Sequence, residues 1–341
     1  MYNEYSTSGT REHHVSDDRK LVRQRAENGT DDEGVHSTPE SPAEERPLRV
    51  GILLPGETVP AWMERAIERT VAETNVEITH LVINDDADPD DLSDYLAGSF
   101  PGGVLEYISC SIERLRAHLL WSLTGVARQF AETPDYHEPR SIDSVAGFSG
   151  AKRLYCQPVP ASGFGNLLPE EVAEEVGTNT DVVVRFGFGV LKGEFLTMPT
   201  HGVLSFHRGD LESYRGQPGG LWEFLNDEPT AGVTLQRISE TLDGGEIIAE
   251  RTVDIADART WREVERRQIA VCEQLLAVGV RRLRDSTFEP TTPDSLGTLY
   301  TMPTGVNVAR YVCKTALGKL CRDRQTRTRD GGQNHGERDV T

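Results

Sequence analysis

The stretch GVLSFHRGDLESYRGQPGGLWEFLNDEPTAGVTLQRISETLDGGEII, residues 202–248, sets a histidine at the end of a short apolar run and brings back an aspartate in a glycine-rich turn. Side chains of a strand alternate between faces, so Val203, Ser205 and His207 share one side of GVLSFH while Leu204 and Phe206 share the other. Arg208-Gly209-Asp210 then breaks the apolar pattern. His207 is thereby placed near the carboxyl end of its strand, where open α/β sheets bind ligands. Further on, PGGLWEFLN (218–226) reads as a short helix and GVTLQRI (232–238) as a strand with Val233 and Leu235 on one face. Leu242-Asp243-Gly244-Gly245 is a turn, and Glu246 opens another strand running toward Val253, so Asp243 sits in a bend between two sheet segments.

Working outward, RVGILL (49–54) reads as a buried strand, 60–73 as a helix and 76–83 as a second strand ending in Asn84-Asp85-Asp86. Strand and helix in alternation predict a mostly parallel sheet with helices on both faces. Residues 107–131 read as a long amphipathic helix, 154–159 as a strand, and a further helix starts near Pro169. An arginine-rich helix over 261–283 packs back on the sheet. The first strand is followed by Pro55-Gly56-Glu57-Thr58, without the glycine spacing of a dinucleotide loop. Composition sets the ends: 1–46 is a polar tail and 323–341 another, both expected to be disordered. The α/β domain then covers 47–285, and 286–322 is an extension carrying a basic helix. Within that extension Val308, Val312, Ala316, Leu317 and Leu320 lie near one side, with Arg310, Lys314, Lys319 and Arg322 supplying charge. Two readings stand: the helix docks on its own core, or its charge meets an anionic substrate, a lipid headgroup or a partner.

The chain resembles the folate-dependent formyltransferases in five segments that come in the family's order. These are DVVVRFGFGVLKGEFL (181–196), SFH (205–207), YRG (214–216), AGVTLQRI (231–238) and LDGGEII (242–248). The resemblance is strongest from Asp181 to Asp254, and its layout is nearest to sugar-nucleotide or uncharacterised members. It implies a Rossmann-like α/β core and transfer of a formyl group from 10-formyltetrahydrofolate to an amine of a small metabolite, such as an amino-sugar nucleotide. In that chemistry an amine attacks the formyl carbon, a tetrahedral oxyanion forms, and one proton moves to the leaving nitrogen. Such a site needs donors for the negative oxygen and a base.

Carried over by position, the resemblance makes His207 and Asp243 the catalytic pair and puts Ser205 where the family has asparagine. Serine is shorter and its hydroxyl rotates, so its donor is displaced unless something assists it. The family's proline after the histidine is Arg208, and Arg208 or a backbone N–H is the candidate for that assistance; otherwise the transferase rate is lost. The resemblance further implies folate contacts from Phe186, Gly187, Phe188, Leu191, Leu242, Gly244 and Glu246, and substrate contacts from Arg208, Tyr214, Arg215 and Gly216. Rival readings are a 10-formyltetrahydrofolate hydrolase, in which water attacks, and a non-catalytic folate or sugar-nucleotide binder.

Against 55 acidic side chains stand 36 basic ones, nearly all arginine, for a formal net charge of −19. Nucleic-acid phosphate needs basic surface, so a nucleic-acid partner is not expected. The acidic excess suits a protein of a salt-rich cytoplasm. Five cysteines show no C-x-x-C pair and no spacing with histidine that suggests a metal. Neither a signal core nor a run of about 20 apolar residues is present, which predicts a cytoplasmic chain without a membrane span. Composition and pattern leave the oligomeric state open.

Overall fold

In the computed structural model the described residues are 46–85, 121, 124 and 133–333, with backbone alone from 321. All fall within the compact unit Arg46–Thr341. The elements follow the chain as β1 (Leu48–Leu54), β2 (Thr58–Pro60), α1 (Ala61–Glu73), β3 (Val76–Asn84), β4 (Pro139–Ser141), β5 (Lys152–Cys156), β6 (Val159–Pro160), β7 (Asn166–Leu167), α2 (Glu170–Asn179) and β8 (Val182–Arg185). Then come β9 (Val203–His207), β10 (Tyr214–Gly216), α3 (Leu221–Leu225), β11 (Thr230–Arg237), β12 (Glu246–Asp254), α4 (Trp261–Arg284), β13 (Thr298–Tyr300) and α5 (Val306–Gln333).

A seven-stranded sheet in the order β12-β11-β9-β8-β1-β3-β5 carries the fold. The neighbours from β9 to β5 are parallel, and β11 and β12 run antiparallel at the edge. This is the expected Rossmann-like α/β core. Central strands are covered on both faces, which is why LRVGILL and VVVR read as unbroken apolar runs. Strand β11 and strand β12 form a hairpin across the turn at Asp243, and that short connection dictates their antiparallel pairing.

Helix α4 covers the β11–β12 side. Thr260 and Glu263 form a reciprocal capping box at its start, and Arg281, Arg282 and Arg284 complement the carbonyl end. Gly279 is the point of closest approach: a Cβ there would lie 2.4 Å from Leu235 Cδ2. Helix α1 packs beside α4, where Arg65 donates to Glu273 at 2.6 Å. The described residues hold no helix long and apolar enough to cross a membrane.

Helix α5 continues to Gln333, past the boundary at 322 set from composition. Up to residue 320, Val308, Tyr311 and Gly318 are its buried residues, while Leu317 and Leu320 are 63% and 60% exposed and Val312 is also exposed. Of the apolar side expected from sequence only Val308 is buried, and Tyr311, edge-on to Trp121 at 5.2 Å, completes the docking face. Two of its cations meet the carbonyl end of α3. Arg310 donates to Leu225 O at 2.6 Å, and Lys314 reaches Phe224 O and Asp227 Oδ1. The helix expected at 107–131 lies outside the described residues apart from Trp121 and Thr124.

At the amino-terminal edge of the sheet, Asp181 is 3% exposed at its side chain and accepts from Arg46 Nη1 (2.6 Å), Arg49 Nη2 (2.9 Å) and Arg49 N (2.8 Å). Burial alone would raise its carboxyl, but the arginine hydrogen bonds prevail and hold it well below the usual carboxylate range. The resulting stabilisation is complete above the unfolded value of about 3.9 and is lost as pH falls toward the depressed folded value. Asp181→Asn is expected to cost about 2 kcal/mol at pH 7, below the range for a fully buried pair because both arginines keep contact with water. Urea titrations at pH 7 and pH 3 check this: the difference between the two proteins should shrink at the lower pH.

Candidate active site

The parallel strands β8 and β9 end side by side, and β11 closes the other flank of β9. Register pairs Arg185 with Ser205, Ser205 with Gln236 and His207 with Thr234, which sets these side chains on one face of the sheet. Ser205 and His207 are 2% and 6% exposed. The imidazole is held from both sides: Nε2 lies 2.8 Å from Tyr214 O, and Nδ1 lies 3.5 Å from Asp243 Oδ1. A carbonyl only accepts, so Nε2 carries a hydrogen, and Nδ1 is the nitrogen that gains or gives up a proton. Its spacing from Asp243 is longer than a hydrogen bond, and the contact becomes an ion pair only when the imidazole is protonated. Gly209 leaves room for this, since a Cβ there would sit 2.6 Å from Nε2 and 2.5 Å from Tyr214 O.

Asp243 occupies the left-handed region at φ 46°, a conformation that aspartate tolerates in turns. Its Oδ2 accepts from Gly216 N at 2.8 Å, and Oδ1 also lies 3.5 Å from Gln236 Nε2. Gln236, itself buried, accepts from Gly245 N at 3.1 Å. Arg215 pins the same turn by donating to Leu242 O (3.0 Å) and Gly297 O (2.8 Å). The YRG segment thus acts on Asp243 through Gly216 and Arg215, and the aspartate reaches His207 from a turn fastened at three points.

Arg185 is the residue that the sequence reading passed over. Its Nη2 donates to Ser205 Oγ at 2.8 Å, Nη1 donates to Gly189 O, and Nε is a buried donor without a partner. Burial draws the guanidinium below its ordinary value, and the charge of Asp243 opposes that. The charged donor leaves Ser205 Oγ acting as acceptor, so the hydroxyl hydrogen is free to point elsewhere; its one other contact, Phe206 O, is at 3.5 Å. A signal was present in the sequence: an arginine ends a buried run, VVVR, at the same edge of the sheet where His207 ends its own.

Arg208, the sequence candidate for assisting Ser205, points away and pairs with Glu265 at 3.1 Å. Burial opposes ionisation of Glu265, but His137 and Arg208 hold its carboxyl down to about 2. Phe186 packs edge-on to Trp62 at 5.7 Å, while Phe188 and Leu191 are buried among Leu53, Val82 and Val203. Gly187 lies against the end of β1, and the side chains of Phe188 and Leu191 serve the core. Leu242 and Gly244 flank Asp243 in its turn, and Glu246 accepts from Arg237 Nε at 2.6 Å. The Tyr214 hydroxyl donates to Glu228 at 2.6 Å, and its ring stacks on Tyr300 at 5.3 Å. No group of three or more His, Cys, Asp or Glu suited to a metal occurs among the described residues.

Residues 161–278, which contain this constellation, match the formyl transferase family. A methionyl-tRNA formyltransferase of Agathobacter rectalis is 30% identical over 118 residues, which is 34% of this chain and 38% of that protein. Another, of Caulobacter vibrioides, is 29% identical over 196 residues, or 50% of this chain and 64% of that protein. The chain thus spans less than two thirds of the length of either relative. Among solved structures, the N-formyltransferase from Helicobacter canadensis in complex with folinic acid and dTDP-3-aminofucose is similar at 13% identity and a TM-score of 0.47, covering 79% of this chain and 80% of that one. Glycinamide ribonucleotide transformylase 1 from Symbiobacterium toebii is similar at 17% identity and a TM-score of 0.45, covering 73% and 95%.

Proposed function

We propose, from the match of residues 161–278 to the formyl transferase family, that this chain transfers a formyl group from 10-formyltetrahydrofolate to a primary amine of a small molecule. The observation that carries the reading is the cluster of His207, Asp243, Ser205 and Arg185 on one sheet face. Negative charge develops on the formyl oxygen as an amine adds, and the donors suited to meet it are the Ser205 hydroxyl and the Arg185 guanidinium behind it. A buried guanidinium with a spare N–H fits a site built to meet an anion. His207 Nδ1 takes the proton that the amine gives up, and Asp243 stabilises the imidazolium so formed. Asparagine is replaced here by a serine and arginine acting together, which restores the donor strength that serine alone lacks.

Charge supports a small acceptor over tRNA. The chain carries a formal net charge of −19, and phosphate backbones require the opposite. The test follows tetrahydrofolate release from 10-formyltetrahydrofolate with and without a panel of primary amines. Release that depends on an amine supports the transferase. Release without any amine makes the chain a hydrolase, and no release under any condition with folate still bound makes it a binding protein.

A further inference from the structure

A cavity of about 590 Å³ lies over the β11–β12 part of the sheet, next to His207 but not lined by it. Thr234, the register partner of His207, lines it together with Glu250 and Thr252 from β12, whose partners on β11 are Thr234 and Gly232. Tyr214 joins the two places, because its carbonyl holds His207 Nε2 while its side chain lines the cavity. Five carboxylates line the cavity, Asp210, Glu212, Glu223, Glu228 and Glu250, against a single cation, Arg251. Four of these five are at least partly in contact with water, as acidic surface residues usually are. Glu223 is different: it is 3% exposed, and its Oε1 is buried without any hydrogen-bond partner. A carboxylate oxygen left unpaired in this way is costly to the fold unless a donor meets it.

We infer that this cavity receives the cationic end of the amine acceptor, so that the substrate is a di- or polyamine carrying a second positive group beyond the nitrogen that is formylated. The inference rests on the formyl-transfer reading above. In the reaction the acceptor nitrogen forms a bond to the formyl carbon, and the bond from that carbon to the folate nitrogen breaks. The proton lost by the amine passes through His207 Nδ1 to the departing nitrogen, and nothing is oxidised or reduced. The four carboxylates in contact with water, Asp210, Glu212, Glu228 and Glu250, repel a diphosphate at this place and attract an ammonium group. Burial, with Asp210 and Glu228 nearby, pushes the Glu223 carboxyl up to about 8, so at pH 7 it is mostly protonated and a cation beside it drives the proton off.

Isothermal titration of the full chain with spermidine, at low ionic strength and pH 7 in buffers of different ionisation heat, tests this without a formyl donor. Spermidine is expected to bind one to one with release of a proton, while glucosamine 6-phosphate does not bind. Glu223→Gln should weaken spermidine about tenfold or more and abolish the proton release. Glu250→Lys, a change on the sheet edge that leaves the interior untouched, should weaken it as well. Absence of spermidine binding, or binding that neither substitution alters, overturns the cation subsite. If formyl transfer to glucosamine 6-phosphate is then found, the formyl-transfer reading survives alone. Glu223-dependent spermidine binding with no transfer to any amine keeps the cation site and removes the formyl-transfer reading.

Discussion

His207→Ala is expected to lower kcat for amine-dependent tetrahydrofolate release by about 10² to 10⁴, the range for losing a positioned general base. Both ring nitrogens are committed, one to Tyr214 O and the other to the Asp243 carboxylate, so the imidazole has a single orientation and a single nitrogen for proton traffic. Asp243→Asn should fall in the same range, since an amide offers no negative charge to the imidazolium that forms. The aspartate is anchored independently of the histidine, by Gly216 N, so removing the imidazole is not expected to displace the turn. Single-turnover rates and near-UV circular dichroism of each variant check this: the rate falls while the fold signal stays.

Arg185→Met is expected to lower kcat by about 100- to 1000-fold with little change in KM for the amine, the effect of losing a donor to a developing oxyanion. In the proposed mechanism the guanidinium acts partly through the serine, to whose Oγ it donates at 2.8 Å. Ser205→Ala and Arg185→Met should therefore be far from additive, with the double variant close to the worse of the two. Arg185→Lys keeps the charge but loses the fork that reaches Ser205 and Gly189 together, so it should recover only part of the rate. A purely structural arginine would instead give a lowered melting temperature, an unchanged kcat for the folded fraction, and no selective recovery by lysine.

The candidate site was legible where periodicity and turn chemistry carry the information. Alternation in GVLSFH gave the shared face of Ser205 and His207, and the Leu-Asp-Gly-Gly turn gave the hairpin that presents Asp243. Arg185 was not read as part of it because its role depends on which strand lies beside β9, a pairing that no local pattern in VVVRFG specifies. The same limit applies to Arg208: one residue past His207 in sequence, it is turned toward Glu265 on α4. For Phe188 and Leu191, apolar character fits a ligand pocket and a core equally well, and both pack in one cluster with Leu53 and Val203. In α5 the expected apolar side holds at Val308 and fails at 312, 317 and 320, because the aromatic contact of Tyr311 outweighs those aliphatic positions.

In the proposed reaction the formyl carbon ends on an amine nitrogen of a second substrate. Incubation with 10-formyltetrahydrofolate labelled with ¹³C in the formyl group, together with a panel of di- and polyamines, and mass spectrometry of the products tests it directly. The label is expected in an N-formyl amine whose yield disappears with His207→Ala. Label recovered only as formate, or left on the folate in every mixture, would contradict the account.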